Sequence, residues 1–206
     1  MCLAEARAAS EGTGAMSWAI WITGKPGSGK TTLAERVAEE LAARGIPVKL
    51  LNLESVRHVL FHRSPVSAAE QDIAHRALIY GAKLLSEAGV AVIVDATAPR
   101  RAWREAARAL IPRFAEVQLL CPGEICVERE RAARWGLGAA EGARGRAAAA
   151  EAPDIALDYE ESLRPELLIR TDVHDPWSAA EKVVYLAGRL HRMVPAADDE
   201  PERRAS

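Results

Sequence analysis

Cysteine is scarce in this sequence, and the few cysteines form no recognisable framework. There are three, Cys2, Cys121 and Cys126, which is an odd number without the spacing of a zinc site. We expect buried free thiols, as in the reducing environment of the cytoplasm. A small fold held together by disulfides is therefore excluded, and a cytoplasmic protein is favoured.

Long apolar runs and an excess of charge are also missing. No apolar run approaches the roughly 18 residues of a membrane-spanning helix, and the N-terminal stretch MCLAEARAASEGTGA is a poor secretory signal. The 27 Lys and Arg nearly balance the 29 Asp and Glu, so the formal net charge is only −2. With no basic stripe or row of stacking side chains, we expect neither a membrane nor a nucleic acid as partner.

What the chain does contain suits one globular domain. Its 206 residues are 49% hydrophobic, which is enough for a sizeable core. We predict a loose N-terminal extension over 1–16, a single domain over 17–192 and a disordered polar tail over 193–206. The stretch 136–153 is rich in Gly, Ala and Arg, which fits a mobile, lid-like loop; an alanine-rich helix is the alternative, weakened by the glycines.

Short apolar runs alternate along the chain with stretches of helical spacing. Continuous apolar strands joined by helices predict an α/β fold with a mostly parallel sheet covered on both faces. We predict strands at 19–22, 48–53, 90–96, 116–121 and 166–171, and helices from Leu33 to just before Gly45 and at about 68–88, 100–110, 123–134 and 177–191.

The turn between the first strand and the first helix, GKPGSGKT at 24–31, matches the motif G-x-x-x-x-G-K-[ST] in full. Glycines let successive backbone N–H groups point into one concavity, and the helix start adds partial positive charge. Lys30 can reach the β- and γ-phosphates of a nucleoside triphosphate, and the Thr31 hydroxyl can hold Mg²⁺. We predict a nucleotide site made by Gly24, Lys25, Pro26, Gly27, Ser28, Gly29, Lys30, Thr31 and Thr32.

Beyond this loop, the chain resembles the adenylylsulfate (APS) kinases from about Trp18 to Leu190. The resemblance is carried by WITGKPGSGKTTLAERVAEELAARGIPVKLL, VRHVL, AKLLSEAGVAVIVDATAPRRAWREAAR, FAEVQLLCPGEICVERE and YEESLRPELLIRTD. The order of P-x-R-x-x-R after the third strand and YE…PEL-I-T before the last helix is fairly specific. The resemblance implies a three-layer P-loop NTPase fold of the nucleotide-kinase type, and transfer of the ATP γ-phosphate to a hydroxyl of a sulfated adenosine nucleotide.

The first departure from that family concerns its D-G-D-x-x-R sequence after the second strand. Here the aligned residues are Asn52, Leu53 and Glu54, followed by Arg57. Asn52 is not a base at neutral pH, whereas Glu54 could accept a proton or hold Mg²⁺ through water.

A second departure is an added carboxylate, Asp95, at the end of the third strand, where the family often has a small residue. The sequence VIVDAT resembles that of polynucleotide-kinase-like phosphotransferases. Ligands of open α/β sheets bind at the carboxyl ends of the strands. We therefore predict that Thr31 and Asp95 hold Mg²⁺ and that Glu54 or Asp95 is the base; an Asp95 that only caps the turn before Pro99 is the alternative.

A third departure removes residues that help the family to bind APS. In the stretch where the family has D-R and N-I-R-R, Gln71 and Ala74 replace an arginine and the asparagine, while Arg76 remains. The family's K-G-L-Y and F-T-G sequences are not evident after Glu130. The kinase machinery is thus kept more fully than the residues that recognise APS.

Arginines supply the other predicted contacts. Arg101, Arg104 and Arg108 fall on one helix face, and the first two match P-x-R-x-x-R; a solvated face is the alternative. Arg129 and Arg134 lie where P-loop kinases place arginines that neutralise the transferred phosphoryl group. We predict that Arg57, Arg76, Arg101 and Arg104 bind the acceptor, and that Lys30, Glu54, Asp95 and Arg129 are catalytic.

These features favour an ATP- and Mg²⁺-dependent phosphotransferase that acts on APS or on a related small, anionic, nucleotide-like acceptor. The alternatives are a nucleotide-binding regulator with weak or no turnover, and a kinase of another acceptor such as a nucleotide phosphoramidate or a polynucleotide 5′ end. A switch GTPase is disfavoured because no convincing N-K-x-D sequence is found. A homodimer is one candidate assembly.

Overall fold

The computed structural model describes residues 16–61, 67–134 and 158–192, except for the side chain of Arg134. The strands in these ranges are β1 (Ala19–Gly24), β2 (Val48–Asn52), β3 (Ala91–Asp95), β4 (Phe114–Leu120) and β5 (Leu167–Arg170). The helices are α1 (Lys30–Ala43), α2 (Leu53–Leu60), α3 (Ala68–Glu87), α4 (Arg101–Leu110), α5 (Gly123–Arg134) and α6 (Pro176–Arg192).

The strands form one sheet in the order β2-β3-β1-β4-β5, and every neighbouring pair is parallel. This confirms the predicted α/β class and the parallel sheet. Asp95 pairs in register with Ile22 of β1 and with Asn52 of β2. The carboxyl ends of three neighbouring strands therefore meet beside the loop that links β1 to α1.

Helices cover both faces of the sheet, as predicted. Ile20 and Ile22 of β1 pack in one apolar core with residues of α1 and α6. Ala19 and Trp21 point to the opposite face and pack in a second core with residues of α3 and α4. The alternation of β1 side chains between two cores explains why this strand is apolar throughout, since both of its faces are buried.

Helix α2 was not predicted, because Leu53 was read as the last residue of a strand. In the structure the chain turns directly from β2 into α2, and Asn52 is the N-cap. The Asn52 side chain accepts a hydrogen bond from the Ser55 backbone N–H at 3.2 Å. An N-cap asparagine followed by Glu54 in the first turn was a signal that could have revealed the helix.

Three predicted segments fall outside the described residues: the extension (apart from Met16), the lid-like stretch 136–153 and the tail 193–206. In the part of the chain that is described, no helix is both long and apolar enough to cross a bilayer. Cys121 and Cys126 are free thiols, as predicted, with Cys126 buried and Cys121 half-buried.

Candidate active site

The loop between β1 and α1 has the backbone geometry of a phosphate-binding turn. Gly27 and Gly29 have φ angles of 73° and 92°, in the left-handed region that favours glycine. A Cβ on Gly27 would lie 2.2 Å from the Cys126 carbonyl oxygen, so no side chain fits there. Gly29 leads directly into α1, whose first N–H groups have no partners within the helix and can bind an anion.

Two polar side chains of this loop, Ser28 and Lys30, are buried. Lys30 is only 9% exposed, and its Nζ donates to the Lys25 carbonyl oxygen at 3.0 Å. The Ser28 hydroxyl is buried and has no hydrogen-bond partner among the described residues. A buried polar atom of this kind is a place where an oxygen of a bound ligand would be expected.

Asp95 is the centre of a small polar cluster at the ends of β1, β2 and β3. It is 3% exposed, and its Oδ2 accepts hydrogen bonds from Thr31 Oγ1 at 2.7 Å and from Asn52 Nδ2 at 2.8 Å. Both bonds cross to neighbouring elements, which favours the predicted metal-binding role over a local turn cap. The structure thus brings together Thr31 and Asp95, the two residues predicted to hold Mg²⁺.

Asn52 is the site residue that the sequence interpretation undervalued. From the sequence we noted only that Asn52, which aligns with the start of the family's D-G-D-x-x-R sequence, is not a base at neutral pH. In the structure its amide nitrogen donates to Asp95 while its amide oxygen caps α2 through Ser55. An asparagine can serve both contacts because it carries a donor and an acceptor on one side chain, which an ionised aspartate does not.

Glu54 and Arg57 form a pair on α2. Glu54 Oε2 lies 3.6 Å from Arg57 Nη1; the Glu54 side chain is 58% exposed, whereas that of Arg57 is buried. An exposed carboxylate beside a buried guanidinium can approach a ligand without leaving its partner. Whether Glu54 or Asp95 acts as the base stays a prediction.

The arginines predicted to bind the acceptor have different surroundings. Arg76 is exposed and pairs with Asp72 at 2.6 Å. The Arg101 backbone N–H donates to Glu160 Oε2 at 2.7 Å, and its Nε donates to the Glu161 carbonyl oxygen at 2.9 Å. Arg76 and Arg101 therefore remain candidates for acceptor binding, although Arg101 already holds the chain near residue 160.

Arg104 differs from both expectations for it. The residue is 1% exposed, so the solvated-face alternative is wrong at this position. Its guanidinium donates to Glu116 Oε1 at 2.8 Å and to the carbonyl oxygens of Ala98 and Glu160. Because three of its N–H groups are used inside the protein, the arrangement favours a supporting role over the predicted direct contact with an acceptor.

Arg129 joins α5 to Thr171, the residue that follows β5. Its Nη2 donates to the Thr171 carbonyl oxygen at 2.8 Å, and its Nη1 donates to Thr171 Oγ1 at 3.2 Å and approaches Cys121 Sγ at 3.6 Å. The side chain of Arg134 lies outside the described part of the chain, so its predicted role stays a prediction.

Two cavities open next to the loop. One, of about 440 Å³, lies between the start of α1 and the β5–α6 connection, and its lining includes Gly29, Thr32, Arg129, His174 and Pro176. This volume is within the usual range for small-molecule sites. The other, of about 230 Å³, is lined in part by Lys25, Gln118, Cys121, Tyr159 and Arg170.

Comparisons with known proteins agree with this geometry. The family model for adenylylsulphate kinase matches residues 16–170. The probable adenylyl-sulfate kinase of Archaeoglobus fulgidus is 36% identical over 160 residues, which cover 78% of this chain and 99% of that protein. The adenylyl-sulfate kinase of Synechococcus sp. (strain JA-3-3Ab) is 40% identical over 123 residues, 57% of this chain and 70% of that protein.

The fold agrees as well. An APS kinase of Mycobacterium tuberculosis, solved in complex with AMPPNP and APS, superposes with a TM-score of 0.67 at 27% sequence identity. The superposition covers 84% of this chain and 99% of that chain. The family match runs from before β1 to the end of β5, so it includes the phosphate-binding loop, the Asp95 cluster and the segment around Tyr159 together. The chain therefore belongs to the adenylylsulphate kinase family of P-loop kinases.

Proposed function

We propose that the chain transfers the γ-phosphate of ATP to a hydroxyl group of an anionic, nucleotide-like acceptor of the adenylyl sulfate type. The observation that carries the proposal is the hydrogen bond from Thr31 to the buried Asp95 carboxylate, beside an intact phosphate-binding loop. This hydrogen bond joins Thr31, which is expected to bind the nucleotide's metal ion, to the carboxylate of Asp95 at the end of β3.

The nucleotide would lie across the loop and the start of α1. The loop N–H groups and Lys30 bind the β- and γ-phosphates, and the 440 Å³ cavity accepts the nucleoside. Arg129 lines that cavity and is anchored on Thr171, which supports the prediction that it contacts the phosphate chain. A positive group there would stabilise the charge on the transferring phosphoryl group.

The chemistry of the donors around Asp95 fits Mg²⁺. The ion prefers hard oxygen ligands and usually binds through one or two protein groups, waters and the substrate's phosphates. Thr31 supplies a hydroxyl oxygen and Asp95 supplies a carboxylate. Within 16–61, 67–134 and 158–192, no group of three or more His, Cys, Asp or Glu residues is arranged to hold a metal ion by itself. Thr31 and Asp95 would hold the ion, which would partly neutralise the negative charge of the nucleotide's phosphates when bound.

Phosphoryl transfer needs little covalent work from the protein. The acceptor hydroxyl oxygen forms a bond to the γ-phosphorus, the bond from that phosphorus to the β–γ bridging oxygen breaks, and ADP leaves. The hydroxyl proton passes to a carboxylate, for which Glu54 and Asp95 are the candidates. The main contributions of the protein are to align the two oxygens and to stabilise charge.

The acceptor side is where this chain differs most from the family pattern. Gln71 and Ala74, which stand where the family has an arginine and an asparagine, are buried in the structure. Neither can place a positive charge on an acceptor's phosphate or sulfate. Arg57, Arg76 and Arg101 remain for that purpose, so we propose an anionic acceptor that need not be APS.

We expect APS to be a poor substrate compared with its use by a committed APS kinase. A site that has lost donors for a ligand's polar groups binds that ligand's transition state less well. The measurement is acceptor-dependent ADP release with APS over a concentration series, beside a panel of phosphorylated and sulfated nucleotides identified by mass spectrometry. A kcat/KM for APS near roughly 10⁶ M⁻¹s⁻¹ or above would contradict the expectation. ATP binding without ADP release for any acceptor would instead favour the regulatory alternative.

We further propose that the chain forms a homodimer through the exposed face of α3. Ile73, Tyr80 and Leu84 are exposed and lie at i, i+7 and i+11, on one side of the helix. Sedimentation equilibrium at micromolar concentration should show a dimer that Tyr80→Glu or Leu84→Glu converts to a monomer. A wild-type monomer at every concentration would refute this assembly.

The free thiols of Cys121 and Cys126 also favour the predicted cytoplasmic location.

A further inference from the structure

The turn between β3 and α4, residues 96–99, begins immediately after Asp95 and contains a disfavoured backbone conformation. Ala98 has a φ of 40°, the only positive value at a non-glycine residue in the described ranges, and it is completely buried. An L-residue avoids this region because its Cβ approaches the backbone. Such a conformation persists only where surrounding contacts hold it, and these positions cluster at functional sites.

All four carbonyl oxygens of this turn accept hydrogen bonds from groups outside it. Those of Ala96 and Thr97 accept from two β1 side chains, Trp21 Nε1 at 3.3 Å and Thr23 Oγ1 at 2.6 Å. The Ala98 carbonyl oxygen accepts from the Arg104 guanidinium of α4. The Pro99 carbonyl oxygen accepts from the Glu160 backbone N–H at 2.9 Å.

Arg104 makes the widest set of these contacts. Besides the Ala98 carbonyl, its buried guanidinium binds the Glu160 carbonyl and the Glu116 carboxylate of β4. It therefore connects the turn, the strap (defined here as Tyr159–Ser162) and the sheet. A planar guanidinium can hold three acceptors in fixed directions, whereas a lysine ammonium on a flexible stem cannot reproduce that geometry.

Tyr159 ties the strap to the same turn by a second route. The single hydroxyl proton of Thr23 is donated to the Thr97 carbonyl, so Tyr159 must donate the hydrogen bond of 3.0 Å that joins its oxygen to Thr23 Oγ1. Burial raises the pKa of Tyr159, which keeps this donor protonated. The Arg104 guanidinium also lies over the Tyr159 ring, with Cζ 5.0 Å from the ring centroid.

We infer that Arg104 and the strap hold this turn in place and thereby set the position of the Asp95 carboxylate, which makes Arg104 and Tyr159 positioning residues for the magnesium nucleotide. The inference rests on the proposed role of Asp95 at the metal ion. In this role both side chains act through the backbone that follows Asp95.

The test measures ATP affinity by calorimetry in Mg²⁺ and in EDTA. The ratio of the two affinities reports the contribution of the metal ion and requires neither turnover nor an acceptor. Arg104→Lys should reduce this ratio by about 10-fold, as is typical when an outer partner of a metal ligand is removed. The affinity in EDTA should stay within about 2-fold, because the loop that binds the phosphates is untouched.

Arg108→Lys is the matched control. Arg108 lies one turn further along α4 and binds Glu116 and Glu166, but its contacts are with these carboxylates and the Arg164 carbonyl rather than with the turn. The Arg108→Lys variant should leave the ratio of ATP affinities in Mg²⁺ and in EDTA within about 2-fold of the wild-type ratio. Ala98→Gly should rescue Arg104→Lys by at least about 3-fold, because glycine adopts positive φ readily and the turn would no longer need to be held.

Equal effects of Arg104→Lys and Arg108→Lys, or no rescue by Ala98→Gly, would overturn the positioning role. A wild-type chain whose ATP affinity does not depend on Mg²⁺ would refute the proposed metal role of Asp95 itself, and with it this inference. If Arg104→Lys does not fold, Tyr159→Phe serves in its place, since it keeps the ring and removes only the hydroxyl. It should lower the Mg²⁺ ratio by about 3-fold, and an unchanged ratio would contradict the inference.

Discussion

Replacing Lys30 by alanine is expected to lower kcat by roughly 10²–10³-fold, the usual effect of removing one preorganised charge-stabilising group. The Lys30 ammonium is held over the phosphate-binding loop by the Lys25 carbonyl. Its positive charge is therefore in place before the nucleotide binds and costs no reorganisation during transfer. ADP release at saturating ATP, with the acceptor that the substrate panel identifies, measures the effect.

The fold of this variant should be retained, because the ammonium serves the loop rather than an apolar core. Thermal unfolding followed by circular dichroism checks this. Lys49→Ala, at an exposed position of β2, is the control for loss of a lysine elsewhere and should leave kcat unchanged. A folded Lys30→Ala variant with normal turnover would refute the phosphate role.

Asp95→Asn should lower kcat by roughly 10²-fold or more. The substitution keeps the size of the side chain but removes the charge that faces Thr31, and it places a second amide against Asn52. Glu54→Gln is the matched comparison, because it also neutralises one carboxylate near the loop. We expect its effect to be smaller, since Glu54 is exposed and already paired with Arg57.

A larger effect of Glu54→Gln at unchanged ATP affinity would instead make Glu54 the base, and normal rates in both variants would remove both assignments. The double variant Asn52→Asp with Asp95→Asn gives a further control. Asn52 and Asp95 are directly paired in the β2–β3 register, so the double variant moves the carboxylate to the adjacent strand without removing it. Partial recovery of kcat would show that the charge matters more than the strand that carries it.

Most of the fold could be predicted from local sequence patterns. The five strands and the helices other than α2 appear within a few residues of their predicted bounds, because apolar runs and helical spacing are properties of neighbouring residues. Helix α2 was missed because β2 passes into it without an intervening loop, so no break in the pattern separated the two elements. The segments 1–15, 135–157 and 193–206 lie outside the described residues, and the predictions for them stay predictions.

The phosphate-binding loop and the position of Asp95 at a strand end were determined by the sequence alone. A contiguous motif defines the first, and a strand that ends in a carboxylate defines the second. Only the tertiary structure decided which distant side chains contact Asp95 and the residues around it. Asn52 contacts Asp95 across 43 positions of sequence, and Thr23 contacts Tyr159 across 136. The same holds for Arg104, whose spacing on α4 suggested a ligand contact but whose guanidinium is buried between the turn, the strap and β4. Local spacing fixes the face of a helix on which a side chain lies, whereas the partner of that side chain depends on strand order and register, which arise only when distant segments pack together.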